Sequence, residues 1–350
     1  MTMRPIGDGN PCFITFEAGP THDGLETAKR LATLAAEAGA DAVKFQIVDA
    51  NRLVADRTQL FNYDVLVDRA SGRAEAVSEP LYDILNRRMM SEAEWRELKR
   101  HCDQLSLAFF ATVTFDDELD LVAQLNCDTV KIASADVSHL PFIRKVARTG
   151  MNVQVDTGNS TIGEVEAAVD LIREEGDGGV IVHHCPPGYP AIPSAVNLRV
   201  IPTLKQLFGV PIAYSDHSPG WDVTIAAVAL GANLVEKTIT FDRTARSPEH
   251  IFSLEPEDAK AFVKSIRLVE TTLGLPRRIM TPEERKRRRA YRRSVFLAED
   301  GAAGTPLSDL KVDFRRPGWG IGPDEFERMV EHKLRADRKK GHMLSYADIG

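Results

Sequence analysis

Cysteine is scarce in this chain: Cys12, Cys102, Cys127 and Cys185 are the only four among 350 residues. They are widely spaced and form neither a CxxC pair nor a disulfide framework, which predicts free thiols and a reducing, cytoplasmic compartment. No apolar run approaches the roughly 20 residues of a bilayer-spanning helix, so no membrane partner is expected. The opening Met1-Thr-Met-Arg-Pro5 lacks the hydrophobic stretch of a secretory signal. Excess positive charge is also missing. With 44 Lys and Arg against 51 Asp and Glu, the net charge of −7 argues against nucleic acid as the main partner. HExxH, P-loop, GxSxG and GxGxxG sequences are absent, and with them the metalloprotease, nucleotide and serine-hydrolase readings they carry.

What is present is alternation. Strand-like segments at Cys12–Gly19, Asp41–Ile47, Ala108–Val113, Asp128–Ser134, Asn152–Gly158, Gly179–Cys185, Val210–His217 and Ala232–Thr240 are separated by amphipathic helical patterns, and Glu257–Thr272 adds a final helix. Eight βα units over this length predict an α/β fold, a (β/α)8 TIM barrel occupying residues 1–275. A doubly wound open sheet is the alternative. Residues 49–90 read as one long βα loop arching over the barrel mouth. Residues 276–293 form a basic segment, read as a solvated helical linker in preference to a nucleic-acid patch. Residues 294–350 read as a small module rich in turns.

The strand faces carry the functional signal. Side chains alternate across a strand, so Phe13, Thr15 and Glu17 share a face, as do Lys44 and Gln46, then Thr129, Lys131 and Ala133. Gln154 and Asp156 share another, as do Ser215 and His217, and finally Glu236, Thr238 and Thr240. The opposite faces are apolar and suit the helix layer. A barrel interior built for packing alone uses branched apolar residues. A self-neutralising network of Lys44 and Lys131 with Glu17, Asp156 and Glu236 would satisfy the charges. It would not explain their position near the C-terminal strand ends, where barrel enzymes keep their sites. Thr112, Ser134, Thr157 and Gly158 end strands as hydrogen-bond donors suited to an anion. His217 is a candidate base or metal ligand. Of His183 and His184, alternation lets only one point inward.

These segments resemble the sialic acid synthase family, which makes N-acetylneuraminate and related nonulosonic acids. The resemblance rests on Glu17-Ala-Gly-Pro-Thr-His-Asp-Gly24, Ala38-Gly-Ala-Asp-Ala-Val-Lys-Phe-Gln46, Val130-Lys-Ile-Ala-Ser134, Asp156-Thr-Gly158, His184-Cys-Pro-Pro-Gly-Tyr-Pro190, Tyr214-Ser-Asp-His217 and Glu236-Lys-Thr-Ile-Thr-Phe-Asp242, in order along the chain. Arg316-Pro-Gly-Trp-Gly-Ile321 is similar to the family's C-terminal antifreeze-like (SAF, β-clip) domain. The resemblance implies a domain-swapped homodimer that condenses phosphoenolpyruvate with an N-acylated hexose, an amino sugar derivative. Phosphate leaves by C–O cleavage, with a divalent metal (Mn²⁺ or Mg²⁺) as cofactor. It implies Glu17 as acid/base group and His217 as a catalytic and metal-binding histidine. Lys44, Thr112, Lys131, Ser134 and Ser215 are implied at the enolpyruvate. Gln46, Tyr189 and Glu249 are implied at the substrate, and Arg316 reaches the N-acyl group from the partner subunit.

The departures from the family pattern are local. Thr238 stands where the family has its second metal histidine, predicting an altered metal site. Asp156 replaces a serine before Thr157-Gly158, Thr21 replaces an asparagine before His22, and Pro186-Pro187-Gly188 replaces a more polar segment. They keep two alternatives open: a divergent barrel enzyme with another carbon–carbon lyase or aldol reaction, and a catalytically weak sugar-binding homologue.

Overall fold

The computed structural model describes residues 4–350, which divide into two compact units after Gly274. In the first, ten strands are β1 (Phe13–Glu17), β2 (Ala42–Gln46), β3 (Leu60–Asp68), β4 (Arg73–Pro80), β5 (Ala108–Thr112), β6 (Thr129–Ile132), β7 (Asn152–Asp156), β8 (Val180–His184), β9 (Ile212–Asp216) and β10 (Leu234–Thr238). Eight of them close a parallel barrel in the order β1-β10-β9-β8-β7-β6-β5-β2. The eight strands anticipated from the sequence are these eight, and closure excludes the open doubly wound sheet. Each is nearly or wholly buried on both faces, as parallel strands under a helix layer must be.

The helices form where local signals start and stop them. Ser91 and Thr161 each cap a helix with reciprocal bonds to Glu94 and Glu164. Gly39, at φ 86°, ends the helix Leu25–Ala38 in the left-handed region that a residue with a Cβ enters at a cost. Their apolar stripes pack on the outer barrel face through residues such as Leu31, Trp95, Phe142, Ile172 and Phe262.

Inside the barrel the layers differ. Phe13, Ala42, Phe110, Ile181, Ala213 and Leu234 form a separate apolar cluster. Phe13 and Leu234 are register partners near the N-terminal ends of β1 and β10. This plug closes one end, and the charged residues lie beyond it along the same strands.

Residues 49–90 are more ordered than a loop. The segment holds two short helices and an antiparallel hairpin, β3 with β4. Tyr63, Val65 and Ile84 give it a small core. The hairpin escaped the sequence reading because its alternation, Phe61-Asn-Tyr-Asp-Val65, is confined to one strand, the other strand is mostly exposed, and the turn is not of the Asn-Gly type. Arg69, next to its tip, donates to Glu255 and Asp242, both at 2.7 Å, tying it to the loop after β10.

The second unit, Leu275–Gly350, has its own core of Val295, Leu297, Leu307, Ile321, Leu334 and Leu344. Its strands β11 (Ser294–Leu297) and β12 (Val312–Arg315) pair antiparallel. The basic stretch forms the helix Pro282–Tyr291, which buries no residue, as a solvated charged helix should. Among the described residues no helix is long and apolar enough to cross a membrane.

Candidate active site

Five ionisable side chains from five strands meet at the barrel mouth. Lys44 Nζ of β2 lies 2.5 Å from Glu17 Oε2 of β1 and 2.7 Å from Glu236 Oε1 of β10. Lys131 Nζ of β6 lies 2.8 Å from Glu236 Oε2 and 3.1 Å from Asp156 Oδ1 of β7. Glu236 therefore bridges both ammonium groups. Ser215 of β9 donates to Asp156 at 3.0 Å and lies 3.2 Å from Lys131. His183 completes the layer, with Nδ1 2.9 Å from Ser215 and Nε2 2.7 Å from Gln154. His184 turns the other way, to the Val196 carbonyl. The self-neutralising network is real, and it occupies the functional end of the barrel.

Burial sets the proton affinities here. It raises the Glu17 carboxyl above its ordinary value; Lys44 opposes the shift and Glu236 adds to it. Burial works against the Lys44 charge, yet Glu17 and Glu236 outweigh it and hold its pKa well above normal. Burial also disfavours the Glu236 carboxylate, and the two lysines overcome it, so Glu236 stays ionised. His183 is pushed down to about 3 by burial and Lys131, which leaves it neutral. Three carboxyls thus face two ammonium groups, and Glu17 is the carboxyl raised by its surroundings. Replacing such a cluster by apolar side chains is often neutral or stabilising, so stability alone does not account for it.

Close packing fixes Glu17. The Gly19 N–H donates to Glu17 Oε1 at 2.6 Å, and a Cβ on Gly19 would stand 2.7 Å from that oxygen and from the Gln46 nitrogen. Gln46 Nε2 reaches Glu17 Oε2 at 3.3 Å. On the neighbouring arc, Ser134 Oγ accepts from the Gly158 N–H at 3.1 Å and Thr157 Oγ1 from the Cys185 N–H at 3.4 Å. Thr112 is register partner to both Gln46 and Lys131. The Tyr189 ring lies 4.6 Å from His217, which also meets Phe252 edge-on. Glu249 accepts from Thr238 Oγ1 at 3.2 Å. Burial, then the charge on Glu17, raises the Glu249 carboxyl to about 7. Arg316 belongs to the second unit, exposed, with its guanidinium over the Tyr291 ring at 5.2 Å.

The donors around His217 bear on the metal that the resemblance implies. His217 Nδ1 is buried without a hydrogen-bond partner among the described residues, and burial lowers the ring to about 4, so it is a neutral imidazole. Thr238 offers only a hydroxyl, already committed to Glu249. Among the described residues no three His, Cys, Asp or Glu side chains converge as a ligand group. One imidazole beside a neutral hydroxyl does not fit a resident Mn²⁺ or Mg²⁺.

Sequence reasoning passed over Arg88. It is 6% exposed, and burial lowers its pKa while Glu249 and then Glu17 oppose the shift. Arg87-Arg88 before a helix looks like solvated charge; only tertiary placement buries the second residue. Lys237 was missed similarly. It lies on the helix-facing side of β10, 3.1 Å from Asp216, both fully buried.

A closed barrel whose mouth holds buried lysines, a glutamate whose proton affinity is raised by burial, and strand-end hydroxyl groups has the features of a barrel enzyme's active site. A profile of the NeuB family matches residues 31–278. The N,N'-diacetyllegionaminic acid synthase of Legionella pneumophila is 32% identical, covering 99% of this chain and 97% of that protein. The human N-acetylneuraminate-9-phosphate synthase is 31% identical over 95% of this chain and 90% of its own. The crystal structure of the N-acetylneuraminic acid synthetase of Leptospira borgpetersenii, in complex with citrate, aligns with a TM-score of 0.69. It is 28% identical and covers 80% of this chain and 91% of that one. The chain belongs to the NeuB family, a family of nonulosonic acid synthases.

Proposed function

We propose that this protein condenses phosphoenolpyruvate with the open-chain aldehyde of an N-acylated amino hexose, giving a nonulosonic (sialic)-acid-type product and inorganic phosphate. The observation that carries the reading is the Glu17–Lys44–Glu236–Lys131–Asp156 cluster at one barrel mouth, in a chain of the NeuB family.

In this reading C3 of the enolpyruvate attacks the aldehyde carbon, and the aldehyde oxygen takes a proton from Glu17, whose raised pKa suits a general acid. Water adds to the electron-poor C2 and gives its proton to a carboxylate of the mouth. The tetrahedral adduct then expels phosphate together with the bridging oxygen, leaving a ketone at C2. Lys44 and Lys131 supply the positive field for the donor's carboxylate and phosphate. Thr112, Ser134, Thr157 and Ser215 donate to the same anion. Gln46, Tyr189, His217 and Glu249 face the acceptor. Asp156 does not demand a different reaction, because Lys131 at 3.1 Å already meets its charge.

The second unit is assigned as the antifreeze-like (SAF) domain of a domain-swapped homodimer in which Arg316 of the partner subunit holds the N-acyl group. Four free, buried cysteines support a cytoplasmic setting. The test is phosphate release from phosphoenolpyruvate with a panel of N-acyl hexosamines. Release requiring both substrates is expected. No release with any acceptor overturns the reading.

A further inference from the structure

A second cavity opens beside the mouth. It has a volume of about 410 Å³ and lies among the segments after β1 and β10 and the end of the hairpin segment. Lys44 and Lys131 do not line it. Its cations are Arg30, Arg87, Arg88 and Arg246, and its carboxylates are Asp23 and Asp242. Their pairing is uneven. Asp242 is taken by Arg69 from outside the cavity, and Arg87 and Arg246 share Glu79, at 2.9 and 3.8 Å. Arg30 lies over the Phe241 ring at 4.4 Å.

Arg88 stands apart. It is buried, its one hydrogen bond among the described residues is to Ser247 Oγ at 3.2 Å, and no carboxylate lies in ion-pair contact with it. A buried guanidinium has five donors, and leaving it without an anion costs several kcal/mol. His22 lines the same cavity at 3% exposure, with Nε2 buried and without a hydrogen-bond partner among the described residues. His250 lies on its wall, its Nδ1 2.7 Å from Thr240. One buried ring nitrogen thus lacks a partner, and one buried guanidinium has a single hydroxyl contact, in a cavity whose lining cations outnumber its lining carboxylates.

The cavity also has a defined relation to the mouth. Thr238 touches Glu249, and Thr240, two residues further along the same face, lines the cavity. Two extended residues span about 7 Å, a distance that one hexose bridges.

Resting on the synthase reading, we propose that this cavity binds a dianionic, phosphate-type substituent on the acceptor sugar, remote from its aldehyde, with Arg88 as the central ligand. The protein is then a synthase for a phosphorylated N-acyl hexosamine.

The experiment compares N-acetylmannosamine, its 6-phosphate and N-acetylmannosaminuronate as acceptors, in the full chain and in Arg88→Gln, Arg88→Lys and Arg246→Gln. One lost charge-assisted hydrogen bond is worth about tenfold or more in affinity. The expected result is a kcat/KM for the phosphorylated acceptor at least about tenfold above that for the neutral one. R88Q collapses that ratio, R88K partly restores it, and R246Q, at the exposed rim, lowers it less. Calorimetric binding of the 6-phosphate, absent in R88Q, gives the same reading without turnover and covers a variant that folds but is inactive. Equal kcat/KM for the neutral and phosphorylated sugars, or preference for the uronate, overturns the proposal while the synthase reading stands. Inorganic phosphate that binds in the Arg88 cavity, abolished by R88Q, without any preference for the phosphorylated sugar marks a free-anion site and also overturns it. Failure of every acceptor refutes the synthase reading, and calorimetry then decides the cavity alone.

Discussion

Glu236 stands 2.8 Å from Lys131, with side-chain exposures of 6% and 0%. Its other oxygen holds Lys44 at 2.7 Å, so one carboxylate bridges two buried ammonium groups. Glu236→Gln removes that charge and leaves each lysine one carboxylate, Glu17 for Lys44 and Asp156 for Lys131. The expected loss in urea unfolding at neutral pH is about 1.5–3 kcal/mol. A loss well below 1 kcal/mol would mean that water reaches the lysines.

Glu17→Gln separates chemistry from stability. Lys44 keeps Glu236 as partner, so the stability loss should be smaller than for Glu236→Gln. The proton donor is gone, and kcat should fall by roughly 10²–10⁴-fold. Steady-state phosphate release and urea denaturation of both variants decide the order. Near-native turnover in Glu17→Gln would remove Glu17 from the mechanism.

Glu249 makes stability depend on pH. Its carboxyl titrates at about 7 in the folded chain against an ordinary 4.5. Below pH 4.5 both states are protonated and there is no penalty. As pH rises past that value the unfolded chain ionises first, and the native state loses stability until pH passes 7. Glu249→Gln should therefore match the wild type at pH 4 and exceed it at pH 8 by about 3 kcal/mol. Thermal unfolding at the two pH values reads this, and a variant less stable at pH 8 contradicts it.

The donor set at His217 predicts weak Mn²⁺ binding by the protein alone. Thr238→His places a second imidazole on β10 and should tighten Mn²⁺ binding in calorimetry. Equal affinity in both proteins would mean that ligands other than residue 238 hold the ion.

Each unit has its own apolar core. A chain ending before Ser294 should retain a folded barrel by circular dichroism and lose turnover, because Arg316 goes with the second core. Arg316→Ala in the full chain should raise the acceptor KM. A fully active truncated chain would contradict the role given to Arg316.

The barrel was legible because parallel strands under helices leave a strong periodic record, and all eight fell where the apolar runs lie. The mouth was legible because alternation pointed Glu17, Lys44, Lys131, Asp156 and Glu236 the same way before any contact was known. Alternation also foresaw that His183 and His184 would part. The β3–β4 hairpin was not legible, since only β3 alternates, over Phe61-Asn-Tyr-Asp-Val65, while β4 is mostly exposed and gives no apolar face. Arg88 was hidden for a different reason. Its sequence neighbours look solvated, and its burial follows from a chain-distant wall at Ser247 and His250.

The most direct test uses phosphoenolpyruvate labelled with ¹⁸O at the bridging oxygen, together with an N-acyl hexosamine acceptor. Departure by C–O cleavage predicts that phosphate appears only when the acceptor is present and carries the label. Label retained in the organic product, or phosphate released equally without acceptor, would contradict the account.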